Sequence, residues 1–287
     1  MRQMLTKLAP ERRVAPGAMR LAAERHYRLN EKIMASLVGL VAILLPVFLW
    51  LWPKATGECM RDSISHFYYS AFPGTVFVAA LAFIGAFLIA YRGDRLMENV
   101  LASIAGVAAI AVALFPTSQH GCDDGRGFTG RPLMSFDGGA ALVIDEASGG
   151  PLPRFELFGA DAFRFVPAAE VFHYVSAIVL FLFLLWYALR IFPAKSTGEQ
   201  TDGTGRITRT KATRNMIYYA TALVIAVAAG LMLAQFVMKD VMRGDGFAWW
   251  KPKDGMFWCE FAALVAFGVG WVVKGRLFNL VLKDERD

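Results

Sequence analysis

Residues 170–190 read EVFHYVSAIVLFLFLLWYALR and are almost entirely apolar between His173 and Arg190. A helix of about 20 apolar residues is long enough to cross the hydrocarbon core of a bilayer. Glu170 and His173 are three positions apart, so a helix presents both on one face. Because ionisable groups at the end of a membrane helix usually face protein or water, this stretch predicts a membrane span that carries a polar site.

The composition of the whole chain supports the same class of protein. Of its 287 residues, 56% are hydrophobic and 19% are charged, and the mean hydropathy is +0.44, which is too apolar for an ordinary soluble domain. We therefore predict an all-α polytopic membrane protein, a six-transmembrane-helix bundle over residues 33–280. A basic cytoplasmic N-terminal segment, residues 1–32, precedes it, and one long extracytoplasmic loop, 117–168, interrupts it. The predicted spans are 33–53, 69–91, 99–116, 169–189, 215–238 and 256–273.

The distribution of basic residues predicts the orientation of the bundle. With the N-terminus inside, 20 Lys and Arg residues fall on the inner side and 10 on the outer side. Basic residues are concentrated in cytoplasmic connections, so both termini are predicted to be cytoplasmic. The net charge of +6 then reflects attraction to anionic lipid and requires no nucleic-acid partner.

Two spans carry small residues at helical spacing, which lets neighbouring helices approach closely. The third span has such a stripe at Ala102, Gly106, Ala109 and Ala113. The second span has a similar series at Ala82, Ala86 and Ala90. Both stripes predict helix packing and no chemical site.

Polar residues from several helix ends are predicted to gather at the outer membrane boundary. The candidate pocket residues are Asp62, Ser63, His66, Tyr69, His120, Glu170, His173 and Glu260. Imidazole and carboxylate groups are ligands that suit zinc. One hypothesis is therefore a zinc site formed by His66, His173, Glu170 and Glu260, with a metal-bound water for hydrolysis.

Two other interpretations of the same residues stay open. The polar groups could be hydrogen-bonded pairs that join helix ends, Glu170 with His173 and Glu260 with a neighbouring Tyr or Ser. Alternatively, the carboxylates Glu170 and Glu260 could carry protons or bind a cation during transport. Transport sites usually lie near the bilayer midplane, whereas both carboxylates lie near the outer end.

Several short motifs give the chain a resemblance to known proteins. They are ALFPT at the end of the third span, His173 with Ser176 and Ala177 at the start of the fourth, SISHFYY at 63–69 and FGVGWVVKG at 267–275. With these motifs the chain resembles bacterial multi-pass membrane proteins of a family of unknown function. The resemblance implies a helical membrane fold in a bacterial inner (plasma) membrane and implies no activity.

The nearest enzymatic comparison is with zinc-dependent lipid hydrolases of the alkaline-ceramidase and progestin-receptor-like superfamily. Those proteins have seven spans, a Ser-x-x-x-His motif on the second helix and paired histidines on the last helix. This chain departs from all three features, because it has six predicted spans, Ser63 is one residue too close to His66 and the last span contains no histidine.

The three cysteines of the chain are Cys59, Cys122 and Cys259. The first two fall in predicted outer loops, which face an oxidising compartment where exposed thiols tend to pair. Cys259 lies at the start of the sixth span. We therefore predict a Cys59–Cys122 disulfide and an unpaired Cys259.

These observations predict an outward-facing polar pocket that binds or senses a lipid headgroup or a small periplasmic ligand. The expected partners are membrane lipid and such a ligand. Zinc-dependent hydrolysis of lipid is the alternative, and proton- or cation-coupled transport is third. The sequence does not indicate an oligomeric state.

Overall fold

The structure, a computed structural model, describes residues 16–93, 96–115, 169–194, 207–238 and 253–276. It also describes Thr117, Met242, Gly244, Trp250 and six two-residue strands between positions 133 and 165. Residues 16–30, residues 169–170 and the strands are described by their backbone alone.

The prediction of an all-α polytopic bundle is confirmed. Within the described residues, six helices are long and apolar enough to cross a membrane. These helices are α1 (Pro16–Thr56), α2 (Ala71–Ala90), α3 (Leu96–Leu114), α4 (Ala169–Trp186), α5 (Arg209–Phe236) and α6 (Gly255–Lys274). A π-helical turn, Tyr187–Ile191, follows α4 directly. The first helix begins at Pro16, well before the predicted start of the span, and proline is favoured in the first turn because its missing N–H needs no partner there.

The described strands lie between α3 and α4. They are β1 (Leu133–Met134), β2 (Ile144–Asp145), β3 (Gly150–Pro151), β4 (Glu156–Leu157), β5 (Ala160–Asp161) and β6 (Arg164–Phe165). β1 pairs with β6 in parallel, while β2–β3 and β4–β5 are antiparallel pairs. Each pairing is only two residues long, so the helices account for the fold.

The helices form a closed ring. Each helix packs against its neighbours in sequence, and α6 packs against α1. Two of these pairs approach closely through glycines. A Cβ atom on Gly268 of α6 would lie 2.5 Å from the carbonyl oxygen of Gly39 in α1, and one on Gly106 of α3 would lie 2.5 Å from that of Gly85 in α2. No larger side chain fits such a contact without moving a helix.

One of the two predicted small-residue stripes is confirmed and the other is wrong. Ala102, Gly106, Ala109 and Ala113 of α3 are all buried. On α2, however, Ala86 and Ala90 are exposed, and Gly85 makes the contact with α3 instead. The contact requires the smallest residue, so α2 turns its glycine toward α3.

The two ends of the ring have different interiors. The end where α6 finishes is called here the aromatic end. Its fully buried Trp271 ring has its centroid within 5.3 Å of the ring centroids of Phe87, Tyr91 and Phe192. At the other end, called the polar end, α1 finishes and α6 begins. The connector between α1 and α2, residues 57–70, folds against the ring there and includes a 3₁₀ helix, Ser65–Tyr69.

Candidate functional site

The connector 57–70 is fixed to α6 by an apolar and a backbone contact. Phe67 is almost fully buried, and its ring lies 6.2 Å from that of Phe257. The Phe257 N–H donates to the carbonyl oxygen of Asp62 at 2.9 Å. These contacts place the polar residues of the connector next to the first turns of α6.

Glu260 of α6 accepts hydrogen bonds from this connector. The Ser63 hydroxyl donates to the two carboxylate oxygens of Glu260 at 2.9 and 3.1 Å, and the Ile64 N–H donates to one of them. A carboxylate that leaves water is stable only when its lone pairs find donors. Glu260 therefore holds the connector in place, and the connector supplies the hydrogen-bond donors that the Glu260 carboxylate needs.

His173 of α4 joins the same end of the bundle and is only 3% exposed. Its Nδ1 lies 2.7 Å from the carbonyl oxygen of Phe115, and its Nε2 lies 3.1 Å from the Ser65 hydroxyl oxygen. A carbonyl can only accept, so Nδ1 carries the hydrogen and donates. In the neutral ring Nε2 is then the acceptor for the Ser65 hydroxyl, and both ring nitrogens are in use.

A continuous set of hydrogen bonds connects His173 with Glu260. The Ser65 N–H donates to the Ser63 hydroxyl oxygen at 3.1 Å, and Ser63 in turn donates to Glu260. The link between the two serines is a peptide N–H, a group that does not give up its proton at neutral pH. The network therefore positions side chains, and proton- or cation-coupled transport, the third interpretation, stays a prediction.

Asp62 and His66 form the more accessible part of the site. The Nδ1 atom of His66 is hydrogen-bonded to Oδ1 of Asp62, four residues earlier in the connector. Their side chains are 12% exposed for His66 and 35% exposed for Asp62. His66 also interacts electrostatically with Glu260 and His173. The pair thus lies between the buried network and the surface.

A cavity of about 300 Å³ opens at the polar end, between the end of α1 and the start of α6. It is lined by Trp50, Pro53, Lys54, Glu58, Met60, Asp254 and Trp258. Burial raises the pKa of the Asp254 carboxyl, and the Asp62 carboxylate raises it further. Asp62 and His66 do not line the cavity, but the Asp62 carboxylate acts electrostatically on Asp254, which does.

The structure brings together five of the eight predicted pocket residues, namely Asp62, Ser63, His66, His173 and Glu260. Tyr69 is also at this end, but it is fully buried and its hydroxyl donates to the Thr117 carbonyl at 2.8 Å. It therefore supports the connector and does not line an open pocket. His120 and the side chain of Glu170 lie outside the described residues.

Sequence reasoning missed three contributors. Ser65 bridges to His173, and the only signal for it is its position two residues after Ser63 in the SISH stretch. Glu58 and Asp254 line the cavity. Both are acidic residues in connecting segments, a placement that is common for solvated side chains and gives no indication of a cavity.

The zinc hypothesis gains no support from the described side chains. No group of three or more His, Cys, Asp or Glu residues among them is arranged to hold a metal ion. His173 in particular uses both ring nitrogens for hydrogen bonds to protein groups. A zinc ligand needs a free nitrogen lone pair, and this histidine offers none in the observed arrangement.

The structure describes two of the three cysteines in the disulfide prediction. Cys59 is disulfide-bonded, and Cys259 is a free, half-buried cysteine. Cys122 lies outside the described residues. The Cys59–Cys122 pairing therefore stays a prediction.

We expect neither Cys59 nor Cys122 to react with a maleimide in unreduced, denatured protein, and Cys259 to react. Substituting Cys122→Ser should release the Cys59 thiol and lower the free energy of unfolding by about 2–4 kcal/mol, because a long loop in the unfolded chain is no longer closed. Cys259→Ser is the control and should leave Cys59 unreactive. Labelling of Cys122 in the unreduced wild-type protein would contradict the pairing.

The resemblance to bacterial multi-pass proteins of unknown function stays an expectation from short motifs. No protein-family model, curated protein or solved structure matches the chain.

Proposed function

We propose that this polytopic membrane protein binds a lipid headgroup at its polar end. In this proposal it lies in a bacterial inner membrane, with both termini in the cytoplasm and the polar end facing outward. A small periplasmic ligand would use the same groups. Zinc-dependent lipid hydrolysis is the alternative, with the partly exposed His66 as its candidate ligand.

One observation carries the proposal. The Asp62–His66 pair is partly exposed, whereas the Ser63–Glu260 and Ser65–His173 bonds behind it are shielded and fully formed. Side chains that a supporting set of hydrogen bonds holds in place lose little freedom on binding, which favours ligand recognition. A network that served only to join helices would not need an acid–imidazole pair on its accessible side.

The orientation of the bundle is supported by charge. The connections at the aromatic end, together with the N-terminal and C-terminal segments, contain twice as many Lys and Arg residues as the connections at the polar end. This excess favours a cytoplasmic aromatic end and an outward-facing polar end. A polar end in that position would meet headgroups of the outer leaflet of the inner membrane.

The proposal predicts that a defined lipid is retained by the purified protein. We expect the wild-type protein, after detergent exchange, to keep about one molecule of one phospholipid class, measured by mass spectrometry of the extracted lipid. A double variant, Asp62→Asn with His66→Gln, should reduce this retention about fivefold, because charge-assisted hydrogen bonds are replaced by neutral ones.

Thr75→Val, on the exposed side of α2, is the matched control and should retain lipid like the wild type. Equal loss of every lipid class from wild type and variant would contradict the proposal. Metal analysis of the same samples tests the alternative. Stoichiometric zinc that disappears in the His66→Gln variant would favour the hydrolase.

A further inference from the structure

The cavity at the polar end has aromatic walls that already hold a cation. The Trp50 and Trp258 rings form one side, with centroids 6.1 Å apart and an interplanar angle of 63°. The Lys54 Nζ atom lies 3.5 Å from the centroid of the Trp50 ring. Tryptophan is the aromatic side chain that attracts a cation most strongly, so the Trp50 face marks a position for a positive charge.

Lys54 can leave this position at little cost. It follows Trp50 by one helical turn, and its side chain is exposed, so its ammonium can move into water and be hydrated there. A cation of another molecule could then occupy the Trp50 face. The Lys54 ammonium thus occupies the position on the Trp50 ring that the cation of a ligand would take.

Two carboxylates complete the lining of the cavity. Glu58 is exposed at its rim, and Asp254 adopts a left-handed backbone conformation, with φ of 48°, immediately before α6. Aspartate and asparagine are among the non-glycine residues that adopt this conformation most often. Here it belongs to a residue that supplies a carboxylate to the cavity.

The charges around the cavity are nearly balanced in its present form. The Asp62 carboxylate contributes to the raised pKa of Asp254, and Glu58 and Asp62 interact electrostatically with the buried Arg61. The charged side chains that line the cavity are Lys54, Glu58 and Asp254, so the lining keeps two carboxylates and no cation when Lys54 moves away. A positively charged group that replaces the lysine would restore the balance.

We propose that this cavity binds the ammonium group of a phospholipid headgroup, ethanolamine or choline, between the Trp50 face and the carboxylates of Glu58 and Asp254. This inference rests on the proposed function and names the class of lipid. The position of the cavity at the membrane interface favours a lipid headgroup over a free amine. The half-exposed Trp258 and Leu51 lie at this end of α6 and α1, where tryptophans mark the membrane interface and apolar surface is available to acyl chains.

Binding of phospholipids to the delipidated full-length protein in detergent, followed by native mass spectrometry, tests this inference. We expect phosphatidylethanolamine and phosphatidylcholine to bind more tightly than phosphatidylglycerol, which lacks the ammonium. The double variant Glu58→Gln with Asp254→Asn should weaken the first two about tenfold and leave the third almost unchanged. Asparagine tolerates the left-handed conformation of position 254, so this variant retains the backbone.

The aromatic part is tested by two variants of one position. Trp50→Leu should weaken phosphatidylethanolamine binding about threefold to tenfold, whereas Trp50→Phe should retain most of it, because a phenyl ring still attracts a cation. Lys253→Gln is the charge control. It is exposed next to Asp254 and does not line the cavity, so a nonspecific electrostatic effect would make it strengthen cation binding by a similar factor.

The outcomes separate the two proposals. If no phospholipid binds, the proposed function fails. If lipid binds but phosphatidylglycerol is preferred, or if the double carboxylate variant has no selective effect, the ammonium inference fails while the proposed function stands. Binding of soluble choline chloride to a protein that binds no phospholipid would assign the site to a free amine and overturn the lipid source.

Discussion

Replacing Gly268 by leucine is expected to prevent this chain from accumulating as a folded, monodisperse protein. A Cβ atom at position 268 would lie 2.5 Å from the Gly39 carbonyl oxygen and 2.6 Å from a side-chain carbon of Ile43. The backbone oxygen cannot move away without the whole of α1. We expect the α1–α6 contact to open, at a cost of more than about 3 kcal/mol in the free energy of unfolding.

Gly230→Leu provides the matched control for this substitution. Gly230 lies in α5, is exposed, and has no atom within 4 Å of an added Cβ. The same change there should leave size-exclusion profiles and thermal unfolding in detergent close to those of the wild type. Equal behaviour of the two variants would mean that the glycine contact between α1 and α6 does not determine the packing of the ring.

Replacing Glu260 by alanine is expected to lower the free energy of unfolding by about 2–4 kcal/mol. The substitution removes the acceptor for the Ser63 hydroxyl and the Ile64 N–H together, and it leaves both donors unpaired inside the protein. Unpaired donors in a shielded site bear the full cost of leaving water. Thermal unfolding of the detergent-solubilised variant measures the loss.

Glu260→Gln is the control for the shape of the side chain. It keeps one oxygen that can accept from Ile64, and the Ser63 hydroxyl can rotate to accept from the new amide, so we expect less than half of the alanine effect. A Glu260→Ala variant as stable as Glu260→Gln would show that the connector is held by its apolar contacts alone. In that case Glu260 would be available for a direct role with ligand.

The same side chains hold the connector and shape the proposed binding site, which affects how variants are interpreted. A loss of lipid retention in a Glu260 or His173 variant can follow from a displaced connector. Variants of Glu58, Trp50 and Asp254 avoid this ambiguity, because these residues line the cavity and take no part in the described bonds between Ser63, Ser65, His173 and Glu260. Lipid binding should therefore be normalised to the folded fraction of each variant.

The number of membrane-spanning helices was predictable from the sequence, because a membrane span depends on the hydropathy of about 20 consecutive residues. The buried stripe of α3 was also predictable, since four small residues at helical spacing leave one continuous face. Local hydropathy says little about the rotation of a helix. The contact face of α2 was therefore predicted at Ala86 and is instead at Gly85.

The grouping of polar residues near one end of the bundle also came from the sequence, since it depends only on their positions relative to the span ends. Their partners were decided by the tertiary structure. Ser63 and Glu260 are 197 positions apart, and the Nδ1 atom of His173 finds a backbone carbonyl that no side-chain pattern reveals. The connector 57–70 is polar enough to be read as a surface loop. It folds against the ring because Phe67 packs on Phe257 and its serines satisfy Glu260 and His173, contacts that exist only once the six helices have closed.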